Sequence, residues 1–339
     1  MRARRLVPAL TAALTAALIG FPAAPATAAT TCRDVNFPVS LAGSAQTMYG
    51  KLCEPTGAET IQVLVPGASY NMAYWDFPHT PETRSFRLAM NKAGYATLTL
   101  DRLGSGRSST PLAAALTAFT QATVVHQVIQ KVRAGDGVSQ YDKVILGGHS
   151  VGSAISIIEA GTYKDVDAVL ITGLTHGVNL LGAVPIFASL IPAGLDPKFA
   201  DRALDVGYLT TIAGTRFADF HMPGQRVSGV PEADEETKDV FAPGEVVDTL
   251  LLGAILPYSK KIEVPVMLAM GKDPAFCGLL AADCTNADTL RRSEAAYYSP
   301  AANLKTYVVG SYGHSLNFAP DAPLYHAAVV KWANSVVGT

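Results

Sequence analysis

Charge is scarce in this chain: 16% of its 339 residues are Asp, Glu, Lys or Arg, against 49% hydrophobic residues. The 26 basic and 28 acidic side chains nearly cancel. No stripe of Lys and Arg stands out, so nucleic acid is not an expected partner. Cysteine is limited to Cys32, Cys53, Cys277 and Cys284, whose spacing matches no usual zinc pattern. Internal repeats and low-complexity tracts are missing after the first 28 residues. No later apolar run is long and unbroken enough to span a bilayer, so no transmembrane segment is expected.

The first residues have a composition of their own. Arg2, Arg4 and Arg5 open the chain, an apolar stretch follows from Leu6 to Phe21, and Ala26-Thr27-Ala28 forms an A-x-A site. That order is that of a secretory leader, removed after about residue 28 or one residue later. Arg4-Arg5 hints at twin-arginine export, although its neighbours fit that pattern poorly. Removal of the three arginines takes the formal charge from −2 to −5 and leaves ~310 residues, the size of one large domain. Export implies an oxidising compartment and paired cysteines. Of the three possible pairings, nearness in sequence favours Cys32–Cys53, closing an N-terminal hairpin, and Cys277–Cys284, closing a small loop.

Weak alternation with turn glycines predicts that hairpin over Val35 to Leu41 and Met48 to Cys53. A buried strand from Ile61 to Val65 then runs into Pro66-Gly67-Ala68-Ser69. Helical spacing covers 82–93, 116–133, 151–161, 288–298 and 321–337. Apolar strands are expected at 95–100, 143–147, 166–172, 264–270 and 304–309. Strands alternating with helices imply a mostly parallel sheet covered on both faces. The alternation fails between about 174 and 261, where prolines such as Pro185, Pro192, Pro197, Pro223, Pro231 and Pro243 separate short apolar segments and no clear strand is visible. A stretch that long is not an ordinary connection. It reads as a mainly helical insertion capping the C-terminal edge of the sheet.

The chemistry gathers around Gly148-His149-Ser150-Val151-Gly152, between the strand 143–147 and the helix 151–161. A strand, a very tight turn and a helix present the central serine in a strained backbone conformation, clear of the sheet. Glycines flank it because side chains there would collide across the turn. The N-terminal N–H groups of the helix face the place where negative charge develops. A serine hydroxyl needs a base to take its proton and a carboxylate to fix the base's tautomer. Asp273 lies just past strand 264–270, and His314 just past the last strand, so each falls at a C-terminal strand edge. Asp283 and then Asp248 are the alternative acids. His149 should point away from its neighbour Ser150. His79 and His126 come too early to be the base, and His326 sits on the terminal helix. The expected oxyanion donors are the backbone N–H groups of Val151 and Ala68, with Ser69 next in order. Candidate substrate contacts are Ser69, His149, His176 and His221.

With these residues placed, the chain resembles the α/β-hydrolase superfamily. The resemblance rests on Val65-Pro66-Gly67, Asp101-Arg102-Leu103-Gly104-Ser105-Gly106-Arg107-Ser108, the Gly148–Gly152 turn, Asp273 and Gly313-His314, in that order over about 60–320. Pro66 departs from the histidine that many members carry before the glycine. The resemblance implies an α/β-hydrolase fold with a cap, and a largely structural role for the stretch after Asp101. Serine at the turn argues against dehalogenase and epoxide hydrolase chemistry, which needs aspartate there. It leaves acyl transfer to water, with no metal or organic cofactor. An apolar insertion favours a small hydrophobic ester or lactone. The competing readings are a serine aminopeptidase or amidase, which would use acids such as Glu232, Asp234, Glu235 and Glu236, and a non-catalytic or non-hydrolytic member of the fold.

Overall fold

The computed structural model describes residues 29–254 and 257–339; the leader expected at 1–28 lies outside them. Ten strands are found among the described residues: β1 (Thr30–Leu41), β2 (Ser44–Pro55), β3 (Thr60–Val65), β4 (Ala96–Leu100), β5 (Lys143–His149), β6 (Ala168–Thr172), β7 (Leu190–Pro192), β8 (Leu209–Thr211), β9 (Val266–Met270) and β10 (Lys305–Val308). The helices are α1 (Pro81–Arg84), α2 (Phe86–Lys92), α3 (Ala118–Ala134), α4 (Val151–Tyr163), α5 (Leu180–Ala188), α6 (Val230–Thr237), α7 (Pro243–Ala254), α8 (Ala287–Glu294) and α9 (Ala322–Val336). Eight strands form one sheet in the order β1-β2-β4-β3-β5-β6-β9-β10. Only the β1–β2 and β2–β4 pairs are antiparallel. This is the α/β-hydrolase fold.

Alternation within the strands builds two cores. On one face Ile61, Val63 and Val65 of β3 and Val144 and Leu146 of β5 pack with Val125 and Ile129 of α3 and Ile155 of α4. On the other, Leu64 and Ile145 join Phe86 and Met90 of α2 and Tyr325, Val329 and Trp332 of α9. Burial on both faces explains why these strands read as largely apolar runs, broken in β3 only by Thr60 and the buried Gln62. Both hairpin strands are longer than their alternation suggests, and Cys32 stands directly opposite Cys53 in the register. The disulfides are Cys32–Cys53 and Cys277–Cys284.

Three local expectations are corrected. The helix at 82–93 is broken into α1 and α2, because Ser85 is extended and caps α2 by accepting from the Leu88 N–H. Helix α4 does not stop at Gly161 but runs to Tyr163. Gly161 answers a packing need instead: a Cβ there would lie 2.7 Å from the Tyr258 carbonyl oxygen. The 174–261 stretch does contain strands, since β7 and β8 pair antiparallel as a small ribbon beside α5, α6 and α7. With three residues each, they are too short for a period of two to show.

Among the described residues, no helix is long and apolar enough to cross a membrane.

Candidate active site

Ser150 sits between the end of β5 and the start of α4 with φ +54° and ψ −119°. A non-glycine residue held at positive φ stores strain that its surroundings must impose. Here they do. A Cβ on Gly148 would lie 2.2 Å from the Gly152 carbonyl oxygen, and one on Gly152 would lie 2.2 Å from the Val65 carbonyl oxygen. The turn is thus pressed against the end of β3, and the Ser150 N–H donates to the Thr172 carbonyl of β6 at 2.8 Å.

Strands β9 and β10 are parallel neighbours, so the loops leaving their C-terminal ends meet. There His314 Nδ1–H donates to Asp273 Oδ2 at 2.6 Å, and both side chains are buried. Asp273 Oδ1 is held separately by the Ala275 N–H at 2.9 Å. With Nδ1 committed to the carboxylate, Nε2 is the ring nitrogen left for proton transfer. Phe276 lies nearly parallel to the His314 ring with centroids 5.7 Å apart, and Phe220 lies at the same distance. Ser150 and His314 line one pocket, together with Ala68, Ser69 and Val151. Asp283 is exposed and caps Thr285. Asp248 faces the Phe119 N–H at the start of α3. The structure brings neither to His314.

The loop after β3 approaches Ser150 closely: a Cβ on Gly67 would lie 3.0 Å from the Ser150 Cβ. Among the described residues, neither the Ala68 N–H nor the Val151 N–H is given to an acceptor, which leaves both free for an oxyanion. Two buried arginines hold this loop. Arg102 Nη2 donates to the Gly67 carbonyl at 3.0 Å, and its Nη1 pairs with Glu245 of α7. Arg216 Nη1 donates to Ser69 Oγ at 3.0 Å, while its Nη2 lies 2.9 Å from Asp234. The guanidinium of Arg216 also covers the Tyr70 ring at 4.3 Å. Ser69 itself has φ +56°.

The other candidate histidines are engaged elsewhere. His149 is stacked on Tyr74 with centroids 3.9 Å apart, and its Nδ1–H donates to Thr172 Oγ1. Its ring packs 4.7 Å behind His314. Burial, helped by the neighbouring His314, pushes its pKa well below the usual range, so it stays neutral. His176 is bonded at both nitrogens, to Glu294 and Ser259. His221 donates from Nε2 to Asp234 and accepts at Nδ1 from the Tyr312 hydroxyl. None of the three lines the pocket that holds Ser150.

The pocket has a cavity of about 70 Å³ and is walled mainly by the insertion, through Ile186, Phe187, Leu190, Phe241, Val246 and Leu250 among others. Leu180 and Leu181 are exposed, and Phe199 and Tyr208 are buried within the insertion. No acidic or basic side chain other than His314 lines it among the described residues, and it offers no set of metal ligands. The arginine ties and Phe220 were not visible in the sequence. Arg102 lies within the Asp101–Ser108 stretch that carries the resemblance, whereas Arg216 has no local signal.

A family model described as "Alpha/beta hydrolase family" matches residues 62–327. No curated protein matches the sequence. Among solved structures, the chain is similar to the alpha/beta hydrolase GrgF from Penicillium sp. sh18, at 14% identity and TM-score 0.57, covering 91% of this chain and 100% of that one. It is similar to a putative aryl esterase from Burkholderia cenocepacia, at 13% identity and TM-score 0.55, with 91% and 100% covered. A lipase in its open form matches at 14% identity and TM-score 0.55, with the same coverage.

Proposed function

The chain belongs to the alpha/beta hydrolase family, and from that premise we propose that it is an exported serine hydrolase that cleaves a hydrophobic carboxylic ester or lactone. The observation that carries this reading is the convergence of Ser150 and His314 on one apolar pocket, with His314 bonded to the buried Asp273.

In the proposed reaction Ser150 Oγ attacks the acyl carbon while His314 Nε2 takes its proton. Asp273 holds the tautomer that makes this possible and stabilises the imidazolium. The carbonyl oxygen becomes an oxyanion facing the Ala68 and Val151 N–H groups. Collapse breaks the ester bond, and the alkoxide leaves with the proton from His314. Water, deprotonated by His314, then attacks the acyl-enzyme, and the acid departs as Ser150 regains its proton. The acyl or alcohol chain rests on Ile186, Phe187 and Leu250, where burial contributes about 25 cal/mol per Å².

The aminopeptidase reading has less support. Such an enzyme needs a carboxylate to receive the substrate ammonium. Asp234 is already committed to Arg216 and His221, Glu235 to Lys238, and Glu232 to Arg226, and neither these nor the exposed Glu236 line the pocket that holds Ser150. Export is inferred from the leader composition of residues 1–28, and the two disulfides fit it.

The deciding experiment is hydrolysis of a chromogenic ester series from acetyl to palmitoyl, with Ser150→Ala as the blank. The reading expects a rate that vanishes in the blank and peaks at one chain length. No serine-dependent rate with esters, lactones or aminoacyl amides would remove it.

A further inference from the structure

Helix α4 follows directly on Ser150, and near its far end Glu159 belongs to a second cluster of titratable side chains. Glu159 lies nine residues on, about 13 Å along the helix axis. Its carboxylate converges with His126 of α3 and with Asp165, just past α4. One donor atom from each lies within 4.8 Å of the other two. His126 Nδ1 is 2.8 Å from Asp165 Oδ2 and 3.6 Å from Glu159 Oε1. Ligand atoms around a tetrahedral zinc, each about 2.1 Å from the metal, stand about 3.4 Å apart.

The cluster sets two carboxyl groups against one imidazole. Glu159 is fully buried, and neither of its oxygens has a hydrogen-bond partner. Asp165 Oδ1 lacks one too. A buried carboxyl group with no donor is costly as an anion, so it must take up a proton or a cation. Access exists from one side, because the His126 and Asp165 side chains keep 25% and 14% of their surface. The surroundings orient the group. Tyr163 lies flat on the His126 ring at 3.8 Å, and Gln130 Nε2 donates to Asp165 Oδ2 at 2.6 Å. Such outer contacts are what fixes metal ligands in place.

We propose that His126 Nδ1, the Glu159 carboxylate and the Asp165 carboxylate form a structural site for a divalent transition cation, Zn²⁺ in particular, with water completing its shell from the exposed side. One imidazole with two carboxylates suits Zn²⁺ better than Mg²⁺ or Ca²⁺, which prefer oxygen ligands alone. The cation would clamp α3 to the end of α4, and so brace the helix that presents Ser150. The site does not depend on the reaction assigned to Ser150.

The test is titration of the chelator-stripped, exported protein with ZnCl₂ by calorimetry, with CaCl₂ as the comparison, followed by thermal melting. One equivalent of Zn²⁺ should bind in preference to Ca²⁺. At a hundredfold excess over Kd, Tm should rise by roughly 5 °C. His126→Ala and Asp165→Asn, both at the accessible side, should each weaken Zn²⁺ binding at least tenfold, and Glu159→Gln should do the same. Absence of saturable Zn²⁺ binding in the wild type overturns the site. So does binding that His126→Ala and Asp165→Asn leave unchanged, which would place the metal elsewhere. If Zn²⁺ leaves the wild-type melt unchanged and Glu159→Gln melts like the wild type, Glu159 merely holds a proton and there is no cation site.

Discussion

Replacing Asp273 by Asn tests the proposed proton relay more sharply than removing the nucleophile does. Asp273 is buried and accepts two hydrogen bonds, from His314 Nδ1 and from the Ala275 N–H. An asparagine has one oxygen and one NH₂. The Ala275 N–H can only donate, so it keeps the oxygen on its own side. The NH₂ is then turned toward His314, whose Nδ1 must become the acceptor. That moves the ring proton to Nε2, the nitrogen that should receive the Ser150 proton. The fold is undisturbed, but the base is in the wrong tautomer. The expected loss in kcat is on the order of 10⁴-fold, about 5.5 kcal/mol of barrier. The assay is steady-state hydrolysis of the best ester of the chain-length series, with the Ser150→Ala rate subtracted and the two Tm values compared. A variant that keeps its Tm and retains a tenth of the wild-type kcat would refute the reasoning.

Three further outcomes follow from the buried groups. Arg102 and Glu245 are fully buried and pair with each other, so Arg102→Met alone should cost about 3–5 kcal/mol in urea unfolding by stranding Glu245. The double variant Arg102→Met, Glu245→Leu should recover most of that loss, and equal losses in single and double variants would show that the pair is not the cause. Burial lowers the pKa of His326 to about 3, against about 6.5 when unfolded. Between these values the unfolded chain binds a proton that the folded chain refuses, so stability falls as pH drops below 6.5. The expected loss is about 2 kcal/mol by pH 5, and His326→Gln should lose less between pH 7 and pH 5; identical losses would discount this group. Reducing the two disulfides, which close 21- and 7-residue separations, should each remove about 2–4 kcal/mol, whereas an unchanged melt under full reduction contradicts that.

Local constraint is what the sequence by itself determined. The turn at Ser150 is readable because steric crowding acts between neighbours: a Cβ at position 148 would come within 2.2 Å of the Gly152 carbonyl oxygen. The strands are readable because two-sided burial makes β3, β5 and β6 largely apolar, with Gln62 the interruption in β3. Asp273 and His314 could be picked out because parallel strands bring their C-terminal loops to one edge. Only the tertiary structure decided the rest. Arg216 meets Ser69 across 147 residues and Arg102 meets Glu245 across 143, and no periodicity records a contact of that span. Gly161 reads as a helix stop in the sequence, yet it is a gap left for the backbone at Tyr258. Histidines that look alike in sequence part ways by their neighbours: His314 faces the pocket, His149 packs behind it, and His176 and His221 are sealed by carboxylates on other helices. A side chain's partners, and so its charge and its freedom to act, depend on which elements the packed sheet brings against it. That is settled by burial and shape across the whole chain, not by the residues beside it.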